Sequence, residues 1–187
     1  FMWFGDRPFD LRQKLGFTER DVVFLLPAGI RPVKGNLECL DAFRILHDQL
    51  DRARIVFAGP PIDRDYAGRF AETIDRARPW AQWLPLIPVD AMRSAYMSAD
   101  IIVNASRAEG LSNVVLEAMA AGRPLLTSNI PGNNGLIGRD NKDQAGLTFD
   151  PSDPGDLFEK AARLITDISF RETLGRIGFE RATLWPS

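Results

Sequence analysis

Short apolar runs alternate along this chain with longer segments in which apolar residues recur every three or four positions. The runs predict six β-strands, at residues 22–27, 54–58, 83–87, 101–104, 124–128 and 145–149. The run at 22–27 is apolar throughout, as in strands that are buried on both faces of a parallel sheet. The sheet is therefore expected to lie between two layers of helices.

Helical periodicity fills the segments between these runs. Asn36 is a suitable helix N-cap, and Leu40, Phe43 and Leu46 follow it on one face. Helices are also predicted around residues 66–77, 90–98 and 111–121, with a linker and leading helix within 1–20 and two closing helices at 153–165 and 169–183. This alternation predicts βαβ units and one α/β domain over residues 1–187, with a doubly wound, Rossmann-like parallel sheet. Ligands of such sheets bind beyond the carboxyl ends of the strands, where the strand order reverses.

The charge balance and the residue counts exclude several classes of site. Lys and Arg total 23 against 25 Asp and Glu, whereas a nucleic-acid groove or an anionic membrane surface needs a basic excess. A single cysteine and a single histidine exclude an internal disulfide and a Cys-rich or multi-histidine metal site. No apolar run approaches the roughly 20 residues that span a bilayer, so no transmembrane segment is expected.

The first four residues, Phe1 to Phe4, include three aromatic side chains and are followed at once by Gly5, Asp6 and Arg7. A signal peptide would instead place a positive segment ahead of a longer apolar one. We therefore expect no signal peptide, a cytoplasmic location, and a chain that was cut within a longer protein.

The loop after the first predicted strand combines glycines with two cations. Gly29 and Gly35 let the backbone approach a ligand, and Arg31 and Lys34 lie beside the start of the next helix. A helix N-terminus with adjacent cations can bind an anion. The alternative is a solvated turn with two ordinary surface cations. The spacing matches neither the P-loop nor the dinucleotide-binding pattern.

Two carboxylates flank the start of the helix predicted after the fourth strand. Glu109 lies in the loop before this helix, and Glu117 lies about two turns into it. Free amides at a helix N-terminus suit a phosphate, and carboxylates accept hydrogen bonds from ligand hydroxyls. Apolar residues surround Glu117 in the sequence, so an unpaired charge there would be costly and a partner is required. Alternatively, Glu109 is only a favourable acid near a helix start, and Glu117 is solvated.

The E-x7-E pattern of Glu109 and Glu117, within residues 109–120, resembles the core motif of glycosyltransferase family 4, also described as glycosyl transferases group 1. The likeness extends to residues 10–17, to residues 28–35 and to the two closing helices, and so covers nearly all of the chain. Residues 26–34 with 129–133 look most like the glycosyltransferase 1 domain-containing proteins. That family has the two-domain GT-B fold, so the resemblance implies that this chain is the C-terminal, donor-binding half.

The resemblance also implies roles for single residues around the two carboxylates. Glu109 would contact hydroxyls of the donor sugar, and Glu117 would bind the ribose hydroxyls. The diphosphate would lie near the amides of Gly110, Leu111 and Ser112.

The two cations of the first loop would neutralise the diphosphate leaving group, by the same resemblance. The family places an arginine directly after the glycine and a lysine four to six residues later. Here Ile30 follows Gly29, and Arg31 lies three residues before Lys34. Lys34 therefore matches the family pattern, whereas Arg31 departs from it.

Three further residues are implied to belong to the donor site. Ile87 and Pro88 would meet the nucleobase, largely through their backbone. Ser106, three residues before Glu109, would orient the loop that carries this glutamate.

The resemblance implies that the complete enzyme transfers a hexosyl group, with retention, from a nucleoside diphosphate sugar to an unknown acceptor. Glu109 and Lys34 would be catalytic, and no metal or other cofactor is expected. The acceptor would bind to the N-terminal domain of the same protein, so the isolated chain is expected to be inactive. Two alternatives stay open, a non-catalytic module that binds a nucleotide sugar and a sugar-nucleotide epimerase of the same architecture.

Other conspicuous residues have simpler interpretations. Cys39 is expected to pack as a small apolar side chain, and His47 to lie at the surface. Trp80, Trp83 and Trp185 are expected to be packing or interface groups. The stretch 131–135 either lines the cleft or forms turns.

Overall fold

A single parallel sheet organises the computed structural model, which describes residues 5–138 and 143–184. Its strands are β1 (Val22–Pro27), β2 (Ala53–Ala58), β3 (Ala81–Leu84), β4 (Ile101–Asn104), β5 (Leu125–Ser128) and β6 (Gly146–Phe149). They lie in the order β3-β2-β1-β4-β5-β6, and all neighbouring pairs are parallel. The predicted doubly wound, Rossmann-like sheet is confirmed.

Eight α-helices occur within the described ranges. They are α1 (Leu11–Leu15), α2 (Asn36–Gln49), α3 (Arg64–Arg76), α4 (Met92–Ser98), α5 (Asn113–Ala120), α6 (Pro131–Ile137), α7 (Pro154–Thr166) and α8 (Ile168–Thr183). Helices α2, α3 and α7 pack on one face of the sheet, and α1, α4, α5 and α6 pack on the other. No helix in this part of the chain combines the length and the apolar character that crossing a membrane requires.

Side chains of β1 alternate between the two faces, which explains why the strand is apolar throughout. Phe24 and Leu26 pack toward α2 and α3, whereas Val23 and Leu25 pack toward α4 and α5. The Phe24 ring meets Phe43 of α2 edge-on, with 4.8 Å between the ring centroids. The hydrophobic cores on the two faces of the sheet therefore both contain side chains of this central strand.

The strand order reverses between β1 and β4. The first half of the chain adds β2 and then β3 on one side of β1. Strand β4 pairs with β1 on its other side, where Phe24 lies opposite Ile101. Because α2 follows β1 on one face and α5 follows β4 on the other, the loops after these two strands diverge. A crevice therefore opens between them at the carboxyl edge of the sheet.

Two of the element boundaries that differ from the prediction lie next to predicted site residues. Strand β3 ends at Leu84, not at residue 87, because Pro85 has no amide to donate to the ladder. Ile87 and Pro88 consequently lie in the loop beyond the strand. Helix α5 begins at Asn113 and not at residue 111, since Ser112 is still extended.

Two helix starts were also misjudged. The N-cap of α2 is Gly35, and Asn36 is the first residue of the helix. The stretch 131–135 is neither a loop nor a set of turns but the start of α6, with Pro131 in its first turn. Proline suits that position because its φ is already helical and its missing amide has no partner there in any helix.

Cys39, Trp80 and Trp83 pack as expected, whereas His47 is half-buried and not at the surface. Cys39 is buried in the core. Trp80 stacks on the half-buried His47 with 5.3 Å between the ring centroids. The indole of Trp83 packs edge-on against Phe70 and donates a 2.9 Å hydrogen bond to the carbonyl of Gly59. Trp185, like Phe1 to Phe4, lies outside the described residues.

Phe24→Ala should lower the free energy of unfolding by about 3–5 kcal/mol, because it empties a fully buried ring position on the central strand. Chemical denaturation measures this loss. Phe179→Ala is the matched control, since that ring is 50% exposed, and it should cost about 1 kcal/mol or less. Equal losses of unfolding free energy for the two variants would contradict the conclusion that β1 lies at the centre of the hydrophobic core.

Candidate functional site

Lys34, from the loop after β1, and Glu109, from the loop after β4, form an ion pair at the point where the strand order reverses. Their side chains are only 15% and 16% exposed. The Glu109 oxygen that accepts from Lys34 also accepts a 2.7 Å hydrogen bond from the hydroxyl of Ser106. The tertiary fold thus brings together a cation and an anion that lie 75 positions apart in the chain.

The surroundings of Glu109 favour its ionised form. Burial alone would raise the pKa of this carboxyl, but the hydrogen bonds from Lys34 and Ser106 and the charges of Lys34 and Arg31 outweigh it and lower the pKa. Glu109 is therefore an anion at neutral pH. It can accept hydrogen bonds from hydroxyl groups of a ligand.

The two loops pack directly on each other. Gly35 has a φ of +63°, and a Cβ at this position would overlap with the carbonyl oxygen of Ala105. The amide of Arg107 donates to the carbonyl of Val33 over 2.8 Å. A glycine is therefore required at position 35, both for the left-handed backbone and for the close approach.

Arg31 is set apart from this cluster. Its amide donates to the side-chain oxygen of Asn36 over 3.2 Å, which closes the short loop, and its side chain is exposed. It acts on Glu109 through charge, as the lowered pKa of that carboxyl reflects.

Glu117 lines a groove of about 250 Å³ beside the ion pair. Its oxygen Oε2 accepts a 2.5 Å hydrogen bond from the hydroxyl of Tyr96, which supplies the partner that a carboxylate among apolar residues requires. Burial raises the pKa of Glu117, and the hydrogen bond from Tyr96 offsets this only in part. The two carboxylates of the E-x7-E pattern thus have pKa values shifted in opposite directions.

The groove is formed by the loops that follow β1, β2 and β3 together with α5. Gly29 and Ile87 belong to its wall, and most of its other lining groups are apolar. Pro88 directly precedes a turn of 3-10 helix at Val89–Ala91 and is not among the described residues that line the groove. Pro27 and Ala28 border both the groove and the small cavity that holds Lys34 and Glu109. The groove and the small cavity therefore adjoin each other, and together they make up the cleft.

The start of α5 leaves backbone donors free. The Ser112 hydroxyl does not cap the helix, because it accepts a 2.7 Å hydrogen bond from the side chain of Asn104. Within the described ranges, no hydrogen bond is donated by the amides of Gly110, Leu111, Ser112, Asn113 and Val114. These amides, next to Glu109, are suited to an anionic ligand.

A buried polar network holds the loop after β4, and the sequence did not reveal it. Asn104 donates to Ser112 and to Asn133 and accepts from the amide of Ser106. Asn133 in turn donates to Ser128, whose hydroxyl donates to the carbonyl of Ser106 over 2.5 Å. Polar residues at the ends of two buried strands were the only available signal, because their partners are far apart in the chain.

Helix α6 closes one side of the same loop. A Cβ on Gly132 would lie 2.6 Å from the carbonyl oxygen of Gly110 and closer still to that of Glu109. The first turn of α6 therefore presses against the backbone that carries Glu109, so the stretch 131–135 does border the cleft.

Among the residues predicted for the site, Lys34, Ser106 and Glu109 form one cluster, and Gly29, Ile87 and Glu117 line the adjoining groove. Gly110, Leu111 and Ser112 precede α5 next to the cluster. Arg31 and Pro88 lie at its margins. Within the described ranges, no three His, Cys, Asp or Glu side chains are placed to hold a metal ion.

Comparison with known proteins places this cleft in context. A family model described as glycosyl transferases group 1 matches residues 19–167. Sulfoquinovosyl transferase SQD2 of Arabidopsis thaliana is 29% identical over 177 residues, which are 93% of this chain and 32% of that protein. Glycosyltransferase 1 domain-containing protein 1 of Xenopus tropicalis is 26% identical over 157 residues, 84% of this chain and 43% of that protein.

Solved structures share the fold. Alr3699/HepE of Anabaena in complex with UDP-glucose superposes with a TM-score of 0.81 at 20% identity, over 94% of this chain and 51% of that one. The C-terminal domain of the glycosyl transferase group 1 family protein LpcC from Francisella tularensis gives a TM-score of 0.77 at 23% identity, over 94% of this chain and 93% of that one. The fold is thus that of one Rossmann-like half of the GT-B glycosyltransferases. This chain spans less than half the length of the curated relatives described here.

Gly132→Ala should lower the free energy of unfolding by about 1–3 kcal/mol, because the new methyl group meets backbone that cannot move aside without displacing the Glu109 loop. Gly135→Ala is the control in the same helix. Nothing lies within 4 Å of its Cβ position, so it should be neutral or stabilising by up to about 1 kcal/mol. Thermal or chemical unfolding of both variants measures these changes in stability. An unchanged free energy of unfolding for Gly132→Ala would contradict the tight contact with the Glu109 loop.

Proposed function

This chain belongs to the glycosyl transferases group 1 family, and we propose that it is the donor-binding part of a retaining hexosyltransferase that uses a nucleoside diphosphate sugar. One observation carries the proposal. Lys34 and Glu109 meet where the strand order reverses, at the end of a groove whose wall contains Glu117. A cation, a row of free amides and two carboxylates are thus arranged along one cleft.

The proposed ligand would extend along this cleft. The nucleobase and ribose would occupy the groove near Ile87, with Glu117 accepting hydrogen bonds from the ribose hydroxyls. The diphosphate would lie at Lys34 and the first amides of α5, and the sugar would lie against Glu109. The structural relative from Anabaena has been crystallised with UDP and with UDP-glucose, which supports a nucleotide sugar as the ligand class.

Departure of the diphosphate would be the step that these groups assist. As the bond to the sugar breaks, negative charge grows on the leaving phosphate, and Lys34 and the α5 amides are placed to stabilise it. Lys34 is now paired with Glu109, so the diphosphate would share its charge, while Glu109 would turn its ionised oxygens to sugar hydroxyls. No metal ion is needed in this scheme.

The acceptor would bind outside this chain. The curated relatives extend well beyond the matched part, which is 32% and 43% of their lengths. We propose that an N-terminal domain of the same protein forms the other wall of the cleft and binds the acceptor.

A thermal-shift screen with UDP, GDP and ADP sugars tests the proposal, because a ligand that binds only the folded state raises the melting temperature. At least one of these donors should stabilise the chain. No stabilisation by any of them would contradict the proposed function. Donor binding by the longer protein, with no transfer to any acceptor, would favour a non-catalytic binding module instead.

Lys34→Ala should weaken nucleoside diphosphate binding roughly tenfold to a hundredfold, because it removes a charge-assisted hydrogen bond to phosphate. Arg31→Ala should weaken it less, since the Arg31 side chain is exposed. Calorimetric titration measures both losses. The bare nucleoside is the control ligand and should show little difference between the variants; a larger loss at Arg31 would mean that the phosphate lies elsewhere.

Residues 1–187 alone should bind donor but transfer no sugar, because the proposed acceptor wall belongs to another domain. An assay that follows release of nucleoside diphosphate, with and without candidate acceptors, measures this. Robust turnover that depends on an acceptor would overturn this part of the proposal.

A further inference from the structure

Tyr96 is not among the residues that line the groove, but it meets Glu117, which is. The side chain is fully buried in the core between α4, α5 and the sheet. Its hydroxyl donates to Oε2 of Glu117 over 2.5 Å. Glu117 itself lines the groove, so the tyrosine reaches the cleft by way of one carboxylate.

This hydrogen bond has a consequence for the carboxylate. Burial raises the pKa of Tyr96, and the nearby charge of Glu117 raises it further, so the hydroxyl keeps its proton and remains a donor. One of the roughly four acceptor positions of the carboxylate is then occupied, and the others remain for a ligand. The hydrogen bond also holds the Glu117 side chain, which has several rotatable bonds, in one position. This lowers the entropy cost of binding a ligand.

We infer that Tyr96 is a positioning residue, whose hydroxyl orients the Glu117 carboxylate to receive the 2′ and 3′ hydroxyls of the donor ribose. This inference rests on the proposed function, because it takes the groove to be the nucleotide site. It adds a residue that lies outside the E-x7-E segment and acts through the side chain of Glu117.

The chain offers an internal comparison, since it contains only two tyrosines. Tyr66 is also buried, and its hydroxyl also meets a glutamate, at 3.3 Å from Oε2 of Glu38. Glu38, however, pairs with Arg107 at the surface and is not among the residues that line the groove. If a buried tyrosine bonded to a glutamate were merely structural, the two positions would behave alike toward nucleotides.

Tyr96→Phe tests the inference, because it removes the hydroxyl and keeps the ring. We would titrate wild type and variant with UDP, GDP and ADP and with their 2′,3′-dideoxy forms. Whichever diphosphate binds the wild type should bind Tyr96→Phe about threefold to tenfold more weakly. The dideoxy form of that nucleotide should bind both proteins equally, and Tyr66→Phe should bind like the wild type.

The possible failures are distinguishable. If the wild type binds none of the three diphosphates, the proposed function fails. If it binds one, and Tyr96→Phe binds it equally well, the positioning role is wrong while the function stands. An equal loss for the ribose and dideoxy forms would also overturn the role, because Tyr96 would then support the groove as a whole.

A second measurement covers the case in which Tyr96→Phe does not fold. Biosynthetic labelling of Tyr66→Phe with 3-fluorotyrosine places a single fluorine probe at position 96. Its ¹⁹F resonance should move when the diphosphate binds and move less with the dideoxy form, because only the ribose hydroxyls engage Glu117. Equal movement with both ligands, or no movement with either, would overturn the inference.

Discussion

The contact between the loops after β1 and β4 is the constraint on which the site depends. Lys34 and Glu109 are both largely buried, and each would carry an uncompensated charge without the other. Gly35 lets the backbone of one loop rest on the other, so the ion pair and the close approach reinforce each other. The rest of the cleft adjoins this junction: the free amides before and at the start of α5 follow Glu109 in the chain, and the groove with Glu117 borders the same cavity.

The two carboxylates of the E-x7-E pattern show how environment separates chemically identical groups. Glu109 meets a lysine and a serine, and its pKa falls, whereas Glu117 meets one tyrosine hydroxyl in an apolar surrounding, and its pKa rises. A carboxylate paired with a lysine and a carboxylate in an apolar groove suit different parts of an extended ligand, the sugar for the first and the ribose for the second. This assignment belongs to the proposed function. The opposite pKa shifts are independent of it.

A rigid frame supports the loop that carries Glu109. The network that joins Asn104, Ser112 and Asn133 is buried, and its members bond mainly to one another and to nearby backbone. Such a network fixes a loop only when its polar groups find partners. Because the Ser112 hydroxyl is engaged there, it does not cap α5, and the first amides of that helix are left for a ligand. Structural support and binding capacity therefore come from the same side chain.

The sequence by itself determined the order of the strands and of every helix except α6, the doubly wound sheet, and the likeness of residues 109–120 to a glycosyltransferase motif, because periodicity and motif spacing are local properties. Pro85 could also have ended β3 at the correct residue, since its missing amide is a local signal. Only the tertiary structure decided that Glu109 pairs with Lys34, that α6 presses on the Glu109 loop, and that Tyr96 bonds to Glu117. Each of these contacts joins residues at least 21 positions apart. Their meeting depends on how the strands are ordered and which face each helix covers, and no local pattern in the chain records that.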